Sequence, residues 1–172
     1  MVITGVKKSS RKILKKYWMD LYLEEHTNGK NETHEFVIIG APDWTMSIPH
    51  TKNGKFLIVK QYRPAWEMVS FEFPAGRVNN GEEMMETVAR ELREETGYIA
   101  ERHEMVLKLR QSTSTRQIVG IFKSFDLTYV GQDLDEEEDI EVIEVTKDEI
   151  QEFIDSGKMV QMASILAFQY IK

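Results

Sequence analysis

The amino-acid sequence predicts an α/β fold, in which strands and helices alternate along the chain. Apolar residues recur at every second position from Tyr17 to Leu23, the period of a half-buried strand. Between Glu82 and Thr96 they recur instead at the spacing of an α-helix. Two further helical patterns follow Thr146. Alternation of these two periods is typical of a sheet that is covered by helices.

Length and composition indicate one ordinary globular domain. The 172 residues suffice for a full core, and 41% hydrophobic with 30% charged residues argue against disorder. No internal repeat or low-complexity linker divides the chain, so we expect a single domain over residues 1–172. The absence of cysteine excludes disulfides and thiolate metal sites. A net charge of -7 disfavours nucleic acid as a partner.

The chain also lacks the apolar segments that would direct it to a membrane. No apolar run approaches the roughly 20 residues that cross a bilayer, and the N-terminus has no signal-peptide core. We therefore expect a cytoplasmic protein with no membrane partner.

The first forty residues are expected to supply strands that need a surface to pack on. Residues 1–16 are rich in lysine and arginine, which favours a short frayed basic end over a nucleic-acid or phosphate patch. The two strands that follow, YWMDLYLEEH and ETHEFVII, are joined around Asn28-Gly29, a strong hairpin signal. Such an antiparallel hairpin is weakly stable alone.

Later segments supply the remaining strands and helices. KFLIVKQYR predicts a buried strand, the run from residue 104 to 130 predicts two strands around a polar Ser-Thr loop, and EVIEV predicts one more. Thr146 and Glu149 form a capping-box signature for a helix that ends at Gly157. An apolar last helix over residues 162–170 should pack on the sheet.

The helix expected from Glu82 to Thr96 has one buried face. Its apolar stripe consists of Met85, Val88, Ala89 and Leu92. Gly97 stands where a left-handed C-terminal cap is wanted, a conformation that glycine adopts without steric penalty.

Glutamates crowd another face of this helix. Glu91 and Glu95 are four residues apart and lie one above the other, while Arg90 can reach Glu94 in a salt bridge. Like charges this close destabilise a bare helix. A hard divalent cation would explain them, because Mg²⁺ and Mn²⁺ prefer carboxylate and carbonyl oxygens together with substrate phosphates. The alternative is a solvated acidic face, but the glycine turn before the helix favours the metal site.

These residues resemble the Nudix box. The fixed positions of that box are all present: Gly76, Glu82, Arg90-Glu91-Leu92, Glu94-Glu95 and Gly97, followed by Tyr98 where an aliphatic residue is usual. The resemblance implies a Nudix-type α/β/α sandwich with a mixed sheet. It also implies hydrolysis of a nucleoside diphosphate linked to another group, with Mg²⁺ or Mn²⁺ as cofactor.

A second pattern resembles the ADP-ribose pyrophosphatase and nucleoside-diphosphate-sugar branch of that family. It consists of Gln61-Tyr62-Arg63 and then Glu72-Phe73-Pro74-Ala75-Gly76. This branch implies a homodimer that forms through N-terminal strands within residues 1–40, with a catalytic core at 41–172. The chain has no proline after Pro74, where ADP-ribose hydrolases often carry Ser-Pro-Gly, so other nucleoside diphosphate sugars stay open as substrates.

The resemblance also assigns roles to individual residues. Metal ligation falls to Glu91, Glu95, Glu138 and the carbonyl of Ala75. Catalytic roles fall to Glu136, Glu94 and Arg90, although Glu137 could replace Glu136 or Glu138 because the register of the acidic loop over residues 133–141 is not fixed by one sequence.

Four residues are candidates for substrate binding, and three of them have an ordinary structural alternative. Arg63 could grip phosphate or pair with Glu67 or Glu72. Trp44 could stack on a base or be a half-buried core residue. Arg116 could meet phosphate or only solvent. Glu72 completes the group.

Two other functions compete with nucleotide-sugar hydrolysis. One is a Nudix hydrolase of nucleoside triphosphates or dinucleoside polyphosphates. The other is a regulator that binds a nucleotide sugar without cleaving it. The Gln-Tyr-Arg pattern argues against the first, and the complete set of box glutamates argues against the second.

Overall fold

A computed structural model of the chain describes residues 4–136 and 138–171. Within these residues it has ten strands and three helices. The strands are β1 (Gly5–Lys16), β2 (Met19–Asn28), β3 (Thr33–Gly40), β4 (Trp44–Pro49), β5 (Phe56–Arg63), β6 (Met68–Glu72), β7 (Ala75–Arg77), β8 (Tyr98–Arg110), β9 (Ile118–Tyr129) and β10 (Ile140–Val145). The helices are α1 (Met84–Thr96), α2 (Lys147–Asp155) and α3 (Met162–Phe168).

The chain divides into two compact units. The N-terminal unit contains the residues up to Asp43 together with Leu109–Ile118, and the core unit contains Trp44–Lys108 and the residues from Val119 onward. The sequence suggested a border between residues 40 and 41, and it did not suggest that a segment after β8 would join the N-terminal strands. The organisation as a single domain stays a prediction.

The N-terminal unit is built on the antiparallel sheet β1-β2-β3. The hairpin predicted at Asn28-Gly29 is confirmed, because β2 and β3 pair antiparallel on either side of it. The prediction of a frayed basic end was wrong, since β1 pairs with the whole of β2. Opposite charges across that pair explain the difference: Lys12 Nζ lies 2.6 Å from an Asp20 carboxylate oxygen.

The core unit contains two sheets. One has the order β10-β5-β6 and is antiparallel; the other has the order β7-β4-β9-β8, in which β4 and β9 run parallel. A mixed sheet was expected, and the predicted strands KFLIVKQYR and EVIEV are β5 and β10, paired from Phe56↔Val145 to Gln61↔Ile140.

Helix α1 packs an apolar face on these sheets. Val88 and Leu92 are buried as predicted, and Leu92 forms a core cluster with Leu57 and Leu127. Met85 was expected in the same stripe, but it is 46% exposed, because the helix begins only at Met84 and turns its second residue to solvent. Glu83 and Glu86 form a capping box at the start of the helix, in which the backbone N–H of Glu83 donates to a Glu86 carboxylate oxygen at 2.9 Å.

Helices α2 and α3 cover other parts of the core unit. The capping box of Thr146 and Glu149 is present at the start of α2. The backbone N–H of Phe71 donates to Lys158 O, and that of Phe73 donates to Ser164 Oγ, so β6 and the segment after it are tied to the C-terminal helices. Within the described part of the chain, no helix has both the length and the apolar content needed to span a membrane.

Candidate active site

The Pro-Ala-Gly turn and helix α1 meet through a buried carboxylate. Glu95 is 4% exposed, and its Oε2 accepts a hydrogen bond of 2.9 Å from the backbone N–H of Ala75. This bond fixes β7, which begins at Ala75, beside the last turn of α1. The family resemblance assigned metal ligation to Glu95 and to the carbonyl of Ala75; the structure brings the two residues into contact through the Ala75 N–H. Their ligation of a metal stays a prediction.

Gly76 makes room for a second carboxylate. A Cβ atom built on Gly76 would lie 1.8 Å from Glu91 Cδ and 1.9 Å from its Oε1. The Glu91 carboxyl group therefore lies directly against the backbone of β7, in space that any other residue would fill. The glycine of the box is required by this close approach, since its φ is not in the left-handed region.

Arg90 organises the carboxylates on the outer side of the helix. Its guanidinium donates to Glu82 at 2.9 Å, to Glu91 at 2.8 Å and to Glu94 at 2.7 Å, and Nη2 donates to Arg77 O at 2.9 Å. The predicted pair with Glu94 is confirmed. The Arg90 bond lowers the pKa of Glu82 to about 2, and the surrounding carboxylates raise the pKa of Arg90.

The carboxyl groups of Glu91 and Glu95, here called the inner carboxylates, lie where burial disfavours their ionised forms. Burial raises the pKa of Glu91 to about 7, against the opposing pull of Arg90. Burial also raises the pKa of Glu95 well above its ordinary value, and the charges of Glu91 and Glu138 add to this increase. A divalent cation would lower both values, because it stabilises the ionised forms.

The loop between β9 and β10 brings further glutamates to this helix. Val130 N and Gly131 N donate to Gly97 O at 2.7 and 3.1 Å, and Asp133 N donates to Glu94 O at 3.1 Å. Glu138 is half-buried, and its charge acts on both Glu91 and Glu95. Its Oε2 accepts a bond of 3.1 Å from Asp135 N within the loop.

The other loop glutamates differ in their surroundings. Glu136 is exposed at a turn of the loop. Glu137, the alternative for either position, lies outside the described residues. The catalytic assignment of Glu136 stays a prediction.

Arg63 and Glu72 form a buried ion pair at the end of β5. Arg63 Nε and Nη2 donate to the two carboxylate oxygens of Glu72 at 2.8 and 2.7 Å, and Glu72 is 1% exposed. The bond to Glu72 raises the pKa of Arg63, and the charges of Glu95 and Glu138 act in the same direction. The ion-pair alternative with Glu72 is thus observed. Phosphate binding by Arg63 stays a prediction.

The last two substrate-binding candidates lie in different units. Trp44 begins β4, half-buried, between Arg77 of β7 and Val119 of β9. Arg116 belongs to the N-terminal unit, where its Nη2 donates to the buried Glu24. The ordinary alternative for Arg116, a guanidinium that meets only solvent, is therefore replaced by this ion pair. Binding of substrate by either residue stays a prediction.

The residues present fit a hard divalent cation. Glu91, Glu95 and Glu138 offer carboxylate oxygens, and burial disfavours the ionised forms of Glu91 and Glu95 unless positive charge is supplied. Among residues 4–136 and 138–171, no three acidic or histidine side chains already converge as a finished metal cluster. Mg²⁺ usually keeps several waters and binds only one or two carboxylates together with substrate phosphates, so it does not require such a cluster.

Sequence reasoning missed the residues that attach the acidic loop to the helix. Gln132 Nε2 donates to Glu95 O at 2.7 Å, and Arg93 Nη2 lies 3.2 Å from an Asp133 carboxylate oxygen. These contacts join positions nearly forty residues apart. The only local signal for them is a Gly-Gln pair at the end of a strand, which has no characteristic spacing.

Comparison with known proteins identifies the family of this chain. The model of the NUDIX domain matches residues 44–168, which include the whole acidic helix and the loop after β9. This chain therefore belongs to the Nudix family, as its box residues suggested.

Individual relatives extend the match to most of the chain. The ADP-ribose pyrophosphatase of Bacillus subtilis (strain 168) is 34% identical over 159 residues, which cover 90% of this chain and 85% of that protein. The methanol dehydrogenase activator of Bacillus methanolicus is 31% identical over 151 residues, covering 86% and 80%. A crystal structure of an ADP compounds hydrolase matches with a TM-score of 0.85 over 97% of this chain and 91% of that one. At 16% identity, that likeness concerns the fold, and it confirms the expected mixed α/β architecture.

Proposed function

We propose that this Nudix protein is a metal-dependent pyrophosphohydrolase that cleaves ADP-ribose or a related nucleoside diphosphate sugar. Water adds to one phosphorus, the bridging P–O bond breaks, and the products are a nucleoside monophosphate and a sugar phosphate. The observation that carries this proposal is the pair of buried carboxylates, Glu91 and Glu95, packed against Ala75 and Gly76. The similarity to an ADP-ribose pyrophosphatase over 90% of the chain supports the choice of substrate.

The cation would be Mg²⁺ or Mn²⁺, held by Glu91, Glu95, Glu138 and the Ala75 carbonyl. Bound there, it would neutralise the diphosphate and make a bound water more acidic. Arg90 keeps the carboxylates of Glu91 and Glu94 in place through bonds of 2.8 and 2.7 Å.

Proton transfer is assigned to the acidic loop. Glu136 lies in that loop and is exposed, and we assign it the proton of the attacking water. Glu94 is half-buried and bonded to Arg90, so its role is to hold the arginine and the outer edge of the site.

Substrate recognition is assigned to four residues, Arg63, Glu72, Trp44 and Arg116. The Arg63–Glu72 pair keeps a fixed guanidinium close enough to influence Glu95 and Glu138, and a phosphate is the natural anion for its remaining N–H groups. Trp44 is the candidate for stacking on the base, and Arg116 for a phosphate contact. We expect no nucleic-acid or membrane partner and a cytoplasmic location.

We also propose that the protein acts as a homodimer through its N-terminal sheet. The register aligns Leu14 with Leu21 and Leu21 with Ile39, and it aligns Leu23 with Val37. These five residues form an apolar strip across three strands on one face of the sheet. Leu14 and Val37 are 49% and 51% exposed, so a second copy has apolar surface to bury.

The enzymatic proposal is tested by turnover with a panel of substrates. Purified protein is incubated with Mg²⁺ and ADP-ribose, GDP-mannose, a diadenosine polyphosphate or a nucleoside triphosphate, and the products are separated. We expect AMP and ribose 5-phosphate from ADP-ribose, and little release from triphosphates. Preferred turnover of triphosphates or dinucleoside polyphosphates would contradict the assignment.

A binding regulator is the second candidate, because one relative over 86% of the chain is a methanol dehydrogenase activator. The presence of every box glutamate favours turnover instead. A Glu95→Gln variant should lose turnover by about 10²-fold or more and still bind ADP-ribose in calorimetry. Binding by wild type without hydrolysis of any diphosphate in the panel would favour the regulator.

A further inference from the structure

We propose that Gln132 is a positioning residue that sets the segment between β9 and β10, which contains most of the acidic loop, against the C-terminal end of α1. The inference rests on the proposed function, because it assigns Gln132 the task of presenting Glu136 and Glu138 to the inner carboxylates. The amide of Gln132 donates from Nε2 to Glu95 O at 2.7 Å. Glu95, whose side chain is assigned to the metal site, is thus also the residue whose backbone carbonyl accepts the hydrogen bond from Gln132.

The loop supplies hydrogen-bond donors for backbone carbonyls at the C-terminal end of α1. The last carbonyls of a helix have no intrahelical partners. Here Glu94 O accepts from Asp133 N at 3.1 Å, Glu95 O accepts from Gln132 Nε2, and Gly97 O accepts from Val130 N at 2.7 Å. Together with the bond from Gly131 N to Gly97 O, these hydrogen bonds attach the start of the loop to the end of the helix that carries Glu94 and Glu95.

The approach of the loop is close as well as hydrogen-bonded. A Cβ on Gly97 would lie 2.8 Å from Gln132 N and 2.9 Å from Gly131 C. Gly97 also has a φ of 76°, so the left-handed cap and the contact with the loop require glycine for separate reasons. The loop thus starts from a fixed point only four residues before Glu136.

Among these hydrogen bonds to the end of α1, the one from Gln132 is made by a side chain and therefore depends on the residue type. Backbone N–H groups would bond to the helix carbonyls whatever the residue types were. The other side-chain attachment, between Arg93 and Asp133, joins groups that are 47% and 65% exposed, and such surface pairs contribute little. The short Gln132 bond to a backbone carbonyl is therefore the contact by which sequence fixes the register of the loop.

Gln132 is placed where its replacement should spare the fold. It is exposed, and it borders an open cavity of about 490 Å³ whose walls include Tyr98, Tyr129 and Val142. A substitution there removes a hydrogen bond without leaving a hole in the core. Loss of function would then report position rather than unfolding.

Three substitutions separate the hydrogen bond from other effects. Gln132→Met removes the donor at similar size, Gln132→Glu replaces it with a negative acceptor at the negative end of the helix, and Gln132→Lys keeps an N–H donor. Gln151→Met changes an exposed glutamine on α2, which bonds Asp155, and serves as the matched control.

Activity is measured with ADP-ribose and saturating Mg²⁺. We expect kcat to fall about 10-fold in the Met variant and further in the Glu variant, with KM within twofold, because misplacement of catalytic groups affects the chemical step. The Lys variant should keep at least half of the wild-type kcat, and Gln151→Met should be unchanged. Wild-type kcat in Gln132→Met, or an equal loss in Gln132→Lys, would overturn the proposal.

Hydrogen exchange tests the same contact without activity. In Gln132→Met, the amides of Gly131 and Asp133 should exchange about fivefold faster, as expected for loss of one neighbouring bond, with α1 unchanged. Unchanged loop exchange, or a parallel increase throughout α1, would overturn the positioning role. Inactivity of wild type on all diphosphates would contradict the proposed function instead, while the exchange result would still judge the contact.

Discussion

At the scale of single residues, the site depends on the absence of one side chain. Gly76→Ala places a methyl group where the Glu91 carboxyl group lies, 1.8 Å from its Cδ. We expect the carboxylate to be displaced and kcat/KM for ADP-ribose to fall by about 10²-fold, since small shifts of ligand groups have large effects. Steady-state assays with Mg²⁺ would measure the loss.

A second glycine provides the control for that substitution. A Cβ on Gly5 would meet nothing closer than Thr27 O at 4.0 Å, so Gly5→Ala should keep wild-type activity. If Gly76→Ala is as active as Gly5→Ala, the close packing of Glu91 on β7 does not matter to the reaction.

The buried carboxylates also predict a response to metal. Mg²⁺ should raise the melting temperature of the wild-type protein, because an ion that binds only the folded state adds about 2.7 kcal/mol at a hundredfold excess over Kd. Glu95→Gln should abolish the increase, and Glu101→Gln, at an exposed position on β8, should retain it. Scanning calorimetry measures the melting temperatures with and without Mg²⁺. If Mg²⁺ raised the melting temperature of both variants equally, the ion would bind elsewhere.

At the scale of elements, sequence patterns correctly predicted the features that depend on interactions between residues close together in the chain. The helical period and glycine cap of α1, the Asn-Gly hairpin and the Thr146 capping box all act within a few residues, and each is present. Strand β1 was missed because its sequence has no apolar alternation. It is stabilised by the partner strand, where Asp20 and Glu24 accept hydrogen bonds from Lys12 and Ser10.

The same pairing gives β1 and β2 a predicted dependence on pH. Glu24 is buried, and bonds from Ser10 and Arg116 lower its pKa to about 2. Because the folded pKa lies below that of the unfolded chain, the contribution of Glu24 is complete above about pH 4.5 and is lost as the pH falls toward 2.

Thermal unfolding between pH 5 and 2 would reveal this contribution. The melting temperature of the wild type should drop more steeply with acid than that of Glu24→Gln, which lacks the titrating group. Glu35→Gln, at an exposed position of β3, controls for the change of charge. Parallel curves for wild type and Glu24→Gln would show that the buried carboxylate is not linked to folding.

At the scale of the whole molecule, the candidate site combines residues that are close together on helix α1 with residues from a loop far along the chain. The spacing of Glu91, Glu94 and Glu95 on one helix was enough to predict their grouping and the bond to Arg90. The position of Glu138 depends on how a distant loop attaches to that helix, and no spacing rule encodes the attachment. Only the resemblance to a family supplied Glu136 and Glu138, which is why Gln132 went unnoticed.

The apolar strip on the N-terminal sheet leads to a prediction about assembly. Exposed Leu14 and Val37 lie in line with Leu21, Leu23 and Ile39, and burial of such a strip against its copy is a common basis of two-fold dimers. With a chain of 20.1 kDa, light scattering should give about 40 kDa, twice that mass. Val37→Lys buries an unpaired charge and should shift the protein to 20.1 kDa. His34→Lys, on the opposite face of the same strand, should remain dimeric. A monomeric wild type, or dissociation by the His34 change but not by the Val37 change, would show that this strip is not the interface.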